Sequence, residues 1–340
     1  MNGFMFSNRW VAKLIQSNPD QSKRPAARLA FRAAVAGNLL ALLLAAPVPA
    51  RGQIFVDCNN GFAGDGSLGE YNLDGTPVNA WLIPYGGLNQ PDGMALSGSD
   101  LFITDANGTV GEYTTSGAAV NASLITGLNG PNTIVLSGSD LFVLNGGGTV
   151  GEYTTSGAAV NASLITGLNN SPNSMATSGN NLFVANSVSG TIGEYTTSGA
   201  AVNASFITGL NNPTALAVFG SDLFVANSGT GTVGEYTTSG AAVNASLITG
   251  LSGLDLTSMA VSGSELFVND HNGILEYTLG STPGTVTSSD TSFITGLYES
   301  TGIAVESVPE PGTLSLVGIG AVGLLARYSR SSRRTSAKLV

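Results

Sequence analysis

Between residues 52 and 307 the chain contains no lysine and no arginine. All twelve basic residues lie at positions 9–51 or 327–338, while twenty Asp and Glu fall inside the bare stretch. So acidic a segment repels phosphate backbones, which argues against nucleic acid as a partner. It also offers no catalytic lysine, no arginine clamp, and no Lys or Arg to pair with a carboxylate. Cys58 is the only cysteine, so an intradomain disulfide and a Cys-rich zinc site are both ruled out. It reads as a small, partly buried residue. Of two tryptophans, Trp10 belongs to the leader, leaving little aromatic surface for stacking on sugars.

What is abundant is Gly (46 residues), with Ser, Thr, Asn and Val, a mix suited to short strands and tight turns. Tyr71, Tyr113, Tyr153, Tyr195, Tyr236 and Tyr277 recur at intervals of 40 to 42 residues. Around four of them GEYTTSGAAVNAS(L/F)ITGL is repeated almost unchanged, from Gly111, Gly151, Gly193 and Gly234. A fixed period of this size means one supersecondary unit copied many times. Each copy holds four short apolar segments, for example 214–218, 223–226, 232–236 and 244–250. Turn-forming stretches of hairpin length separate them, which predicts an antiparallel meander. Pro91, Pro131, Pro172 and Pro213 precede the first strand, where a missing N–H harms no ladder.

Four-stranded units of about 40 residues suit propeller blades. A solenoid is the rival, and the partial repeats decide. The first repeat starts at its second strand (54–56), and the last stops after a lone first strand (302–305). Together they make one blade, which closes a ring and removes the sheet edges. Second strands begin at Ile54, Leu101, Leu141, Leu182, Leu223 and Leu266, so the expectation is an all-β, six-bladed propeller over 51–306. Its Pro-x-x-apolar, Leu-Phe-Val-x-Asn/Asp and Gly-Glu-Tyr segments resemble NHL-type six-bladed propellers.

In such a meander the turns between first and second, and third and fourth, strands share one face. Here they are nearly constant (SGSD and TTSGAA). The other face varies, and a ligand is expected there or in the central channel. Its candidate residues are Asp57, Asp65, Asp105, Asp270 and His271. Asp57, Asp105 and Asp270 are read against Asn145, Asn186 and Asn227 of other blades, as turn formers rather than metal ligands. Residues 57–61 (DCNNG) are a weak match to a calcium loop: the Gly comes one place early and position twelve is Leu68. The expectation is no confident metal site and no catalytic residue, with calcium possible and general salt screening the main cation effect. The repeated glutamates, Glu70, Glu112, Glu152, Glu194, Glu235 and Glu276, are expected to be solvated or hydrogen-bonded. The Asn-Ala-Ser triplets match a glycosylation sequon, but recur because the repeat recurs.

The two ends read as addresses. In 1–50, Lys23, Arg24, Arg28 and Arg32 precede an apolar run at 33–46 and small residues up to Ala50, as in an export signal cleaved after Ala50. At 307–340, Val308-Pro309-Glu310-Pro311-Gly312-Thr313 is followed by an apolar run at 314–326 and then Arg327, Arg330, Arg333 and Arg334. This closely resembles the PEP-CTERM sorting signal of Gram-negative bacteria. The resemblance implies recognition by an exosortase after export, with transient anchoring in the inner membrane by a short helical segment. Helical signal segments are thus expected at both ends, and the mature protein on the envelope surface or outside the cell. The role expected there is structural or interactive, in a surface matrix, with matrix polysaccharide or surface proteins as partners. A divalent-cation-dependent propeller hydrolase or lyase is the first alternative, and a carbohydrate-binding propeller the second.

Overall fold

The computed structural model describes residues 52–59, 66–168, 171–251, 256–271, 273–297 and 299–306. The export leader, the sorting signal with its basic end and membrane segment, the expected terminal helices and Asp65 lie outside the described residues.

The ring begins with β1 (Gln53–Asn59), β2 (Gly66–Asn72) and β3 (Pro77–Leu88) of blade 1. Blade 2 is β4 (Pro91–Ser97), β5 (Asp100–Asp105), β6 (Thr109–Thr114) and β7 (Ala119–Ile125). Blade 3 is β8 (Pro131–Ser137), β9 (Asp140–Asn145), β10 (Thr149–Thr154) and β11 (Ala159–Ile165). Blade 4 is β12 (Pro172–Ser178), β13 (Asn181–Asn186), β14 (Thr191–Thr196) and β15 (Ala201–Ile207). Blade 5 is β16 (Pro213–Phe219), β17 (Asp222–Asn227), β18 (Thr232–Thr237) and β19 (Ala242–Thr249). Blade 6 is β20 (Ser258–Ser262), β21 (Glu265–Asn269), β22 (Gly273–Leu279) and β23 (Val286–Thr295), and β24 (Ser300–Val305) returns to complete blade 1.

Each blade is a four-stranded antiparallel sheet, and the first has the order β24-β1-β2-β3. The expected closure is present, with Ile54 opposite Val305, Phe55 opposite Ala304 and Val56 opposite Ile303. The six inner strands touch in sequence around the ring, β24 meeting both β4 and β20. No inner edge is left at a seam.

The core lies between blades. The second strand of every blade is covered on both faces, so it reads as a continuous apolar run rather than an alternating one. Alternation still governs where each side chain goes. Phe102 packs on Leu141 and Val143 of the next blade, and Phe142 on Leu182 and Val184 of the one after. The rule holds at the seam, where Phe267 meets Ile54 and Val56. These phenylalanines are fully buried, each contributing about 1.5–3 kcal/mol from the area removed from water.

The repeated motif owes its constancy to packing. The Gly of Gly-Glu-Tyr lies under its own tyrosine: a side chain at Gly151 would sit 2.7 Å from Tyr153 Cε2. The Gly of TTSGAA has positive φ and presses on the preceding blade. A Cβ on Gly157 would stand 2.5 Å from the Leu124 carbonyl oxygen. Asn-Ala-Ser is an edge device. In the outer strand Asn121 Oδ1 accepts the Ser123 N–H at 3.1 Å, and the register shifts beside it. The same bond recurs at Asn79, Asn161, Asn203, Asn244 and Asp290. Each bond occupies an N–H of the outer edge, and each irregularity blunts that edge against pairing with another chain.

Candidate functional site

The channel is built from successive positions of the six inner strands. At or just before the start of each inner strand is a polar position, Asp92, Asn132, Asn173, Thr214, Thr257 and Thr301, and all of these but Thr214 line the channel cavity. Next come small residues, including Gly93, Ser174, Ser258 and Gly302, and then Met94, Ile134, Met175, Leu216, Met259 and Ile303. The last six are all 9% exposed or less, so the channel narrows to an apolar floor. Above that floor is a cavity of about 130 Å³, on the side of the variable loops.

Side chains of the polar ring stitch blade to blade. Thr301 Oγ1 donates to the Pro91 carbonyl at 2.8 Å, Asn132 Nδ2 to Pro172 at 3.3 Å, Thr214 Oγ1 to Leu256 at 2.7 Å, and Thr257 Oγ1 to Ser300 at 3.2 Å. An ionised carboxylate cannot make this bond, so Asp92 breaks the pattern.

Asp57 is not the turn residue that the sequence comparison suggested. Its register opposite Leu68 matches Thr104 opposite Val110, so its counterparts are Thr104, Leu144, Ala185, Ala226 and Asn269. The turn position in blade 1 is Cys58. Asp57 is fully buried behind the inner strand. Its Oδ1 accepts the Gly302 N–H at 2.6 Å, the Thr301 N–H at 3.2 Å and the Thr301 hydroxyl at 2.7 Å. Its Oδ2 has no partner. Thr104 makes the analogous tie in blade 2, its hydroxyl accepting the Gly93 N–H at 2.7 Å. In blade 6 Asn269 Nδ2 donates to Ser258 Oγ at 3.3 Å. Blades 6, 1 and 2 thus carry polar groups where blades 3, 4 and 5 carry Leu or Ala.

Burial pushes the Asp57 carboxyl up from 3.8 to about 6, against the pull of the three hydrogen bonds on Oδ1. Asp92 is raised to about 7, first by its surroundings and then by the charge of Asp57. Asp92 is nonetheless more than one-third exposed. The carboxylate opens onto the channel, so solvent there tempers the effect of the protein walls.

The remaining described candidates, Asp105, Asp270 and His271, sit on the variable-loop face but form no cluster that could hold a metal. Asp105 is a turn former: Oδ1 accepts the Asn107 N–H and Oδ2 the Asn89 N–H, both at 2.9 Å. His271 is half-buried in a left-handed turn at φ 73°, its N–H bound by Asn269 Oδ1 at 3.0 Å. Asp270 adjoins it, with its N–H on the Gly273 carbonyl at 3.1 Å. Among the repeated glutamates, Glu194 accepts from Asn181 Nδ2 at 2.9 Å, Glu235 from the Gly284 N–H at 3.0 Å, and Glu70 from the Gln53 side chain. Glu70, Glu112, Glu152, Glu235 and Glu276 are raised by burial first, and at all but Glu235 a neighbouring carboxylate comes next. Asp92 was missed in the sequence. Its signal was the residue after each repeated proline, where Asn132, Asn173 and Thr214 are neutral donors and Asp92 is not.

On the rim, four blades present the same outer strand, Ala-Val-Asn-Ala-Ser. Val120, Val160 and Val202 are each 55% exposed. Blade 1 departs, with Trp81 (52% exposed) and Tyr85 (44% exposed) paired at 4.6 Å between ring centroids.

Comparison with known proteins adds two findings. Residues 307–331 match the PEP-CTERM protein-sorting motif. Among solved structures, the chain is similar to one in a nidogen/laminin complex at 14% identity, covering 75% of this chain and 98% of that one, with a TM-score of 0.57. A computationally designed protein, Ika8, aligns at 15% identity over 72% of this chain and 76% of its own, with a TM-score of 0.46. At 14% identity the likeness to the nidogen/laminin chain shows the fold alone. Curated proteins give no match.

Proposed function

We propose that this exported propeller is a structural or interaction component of the cell exterior, and that its rim is the working surface. The chain carries a PEP-CTERM sorting motif, which marks an exosortase-sorted protein that is exported across the membrane to the envelope. The observation that carries the proposal is the repeated outer strand, Ala119–Ile125 in blade 2 and its copies in the next three blades.

Much of the repeat is explained by packing between blades, but the valines are not. Val120, Val160 and Val202 point to solvent, at equivalent places on adjacent blades. A ring with one short surface repeated around it suits a partner that is itself repetitive, such as a matrix polymer or a surface array. Several weak contacts then add through effective concentration, each new contact being intramolecular once the first is made. The absence of Lys and Arg from residues 52–307 favours a neutral or cationic partner.

Washing tests this reading in the native host. The protein with Val120→Glu, Val160→Glu and Val202→Glu should fold, because all three side chains are exposed, yet pass from the cell-surface fraction into the medium. Equal retention of the variant and the unaltered protein would refute the rim as the working surface.

A further inference from the structure

The turn between the last two strands of blade 6 is longer than its counterparts: Tyr277 stands opposite Ser289, where Tyr236 of blade 5 stands opposite Ala242. In blades 3, 4 and 5 the short TTSGAA turn presses its glycine on Leu124, Leu164 or Phe206 of the preceding blade. Beyond that contact Val120, Val160 and Val202 stay exposed. The blade 6 turn, Gly-Ser-Thr-Pro-Gly-Thr at 280–285, reaches further out along the blade before it. One residue makes the contact. Gly284 donates its N–H to Glu235 Oε2 at 3.0 Å, and its carbonyl accepts from Asn244 Nδ2 at 2.9 Å. Its α-carbon lies against the outer strand: an added Cβ would stand 3.4 Å from Val243 Cγ1 and 3.3 Å from Asn244 Cβ. Its φ is 79°, which glycine adopts without strain.

The surface that holds Gly284 is present in three more blades. Glu235 stands opposite Asn244 across the third and fourth strands, as Glu112 does opposite Asn121, Glu152 opposite Asn161 and Glu194 opposite Asn203. A valine precedes each asparagine. The four amides are also oriented alike. Each Oδ1 accepts the N–H two residues on, at Ser123, Ser163, Ser205 and Ser246, which fixes the amide and leaves Nδ2 as the donor. The difference is cover. Under the blade 6 turn Glu235 is buried, and Val243 and Asn244 are half-buried. In blades 2 and 3 the glutamate is half-buried, and the valine and asparagine are exposed. In blade 4, Asn181 Nδ2 already donates to Glu194. Blades 2 and 3 thus repeat, uncovered, a notch that blade 5 fills with this chain's own backbone.

We propose that the Glu-Val-Asn notches of blades 2 and 3 each dock a glycine turn of a partner protein, of the Thr-Pro-Gly-Thr kind that blade 5 holds. The inference rests on the rim as the working surface and narrows the partner there to a polypeptide. A glycine residue offers one N–H and one C=O, matching a carboxylate acceptor and an amide donor. A sugar hydroxyl both donates and accepts, and needs no such pairing. A second copy of this chain fits poorly, because its open turns at Gly98 and Gly138 carry Asp100 and Asp140 two residues on, and these would approach Glu112 or Glu152.

The probe is a synthetic peptide of residues 279–286, cyclised end to end because Leu279 and Val286 pair across the turn. It is titrated into the nitrogen-15-labelled full chain and followed by NMR at the side-chain amides of Asn121 and Asn161. Saturable shifts at both are expected. A peptide with Gly284→Ala should bind about tenfold more weakly, since other L-residues resist left-handed φ. In the protein, Asn161→Asp keeps the oxygen that holds Ser163 and copies Asp290 of blade 6, so the strand should fold. Losing Nδ2, it should weaken the blade 3 site about tenfold, read at the Val160 amide, while Asn121 responds as before. No saturable shift, equal binding of the alanine peptide, or unchanged binding by Asn161→Asp would overturn the proposal. So would shifts that grow with protein concentration alone, which assign the notch to a second copy, or shifts with dextran and not the peptide, which assign it to a polysaccharide. None of these outcomes bears on retention at the cell surface, which the valine substitutions measure separately.

Discussion

Replacing Asp57 by Asn should change how stability depends on pH. The carboxyl is fully buried and raised from 3.8 to about 6. That rise corresponds to about 3 kcal/mol between its two protonation states. The sign follows from linkage. A carboxyl raised in the folded state binds its proton more tightly there than in the unfolded chain, so stability falls as pH rises from about 4 through 6. Roughly 1.4 kcal/mol of the loss should fall between about pH 5 and pH 8. Asn keeps the oxygen that accepts from Thr301 and Gly302, and Asn269 occupies the same position in blade 6. The variant should therefore gain on the unaltered protein by about 1.4 kcal/mol between those two pH values, or roughly 3–6 °C in melting temperature for a domain of this size. Thermal melts of both proteins, in chelator and at about 0.15 M salt, measure the gap directly. A gap that is the same at both pH values would refute the assignment of a costly buried charge to Asp57.

Three further outcomes follow from the packing and from the sorting motif. Phe224→Ala should lose about 3–5 kcal/mol, because the ring fills the space between blades 5 and 6 against Leu266 and Val268; denaturant melts read this, and a loss under about 1 kcal/mol would contradict the inter-blade core. Asn161→Ala should cost no more than about 1 kcal/mol in stability, yet increase self-association, because it frees the Ser163 N–H on an outer edge; light scattering with no change would contradict the edge-guarding role. Replacing Pro309, Glu310 and Pro311 in the native host should leave the protein uncut in the inner membrane, as fractionation and immunoblotting would show, and normal maturation would contradict the role given to the motif.

The ring was legible because its signals are periodic and local. Leu-Phe-Val runs and glycine-rich turns recur at one interval, and the partial repeats at 54–56 and 302–305 complement each other. The site was legible only as a face. Asp57 looked like a turn residue because the turn position of blade 1 is Cys58, where other blades have Asn or Asp, so the eye slides one place back to the nearest acid. Asp92 follows a proline at the start of an inner strand, and nothing local in the sequence sets it apart from the Asn and Thr of other blades. What makes the pair unusual is their meeting at Gly302, which lies 245 residues from Asp57. Closure of the ring, not sequence proximity, creates that contact. The constancy of the TTSGAA and Asn-Ala-Ser segments was legible, but its cause was not: Gly157 serves a blade contact and Asn161 an edge, and the exposed valines have no such packing role.

The most direct test of the rim is the dependence of surface retention on the number of altered strands. Proteins carrying Val160→Glu alone, then with Val120→Glu added, and then with Val202→Glu added, would be released from intact cells by the same wash and timed. The account predicts that the release rate rises stepwise, each substitution multiplying it, as expected of equivalent contacts acting together. Full release from one substitution, or no release from all three, would contradict it.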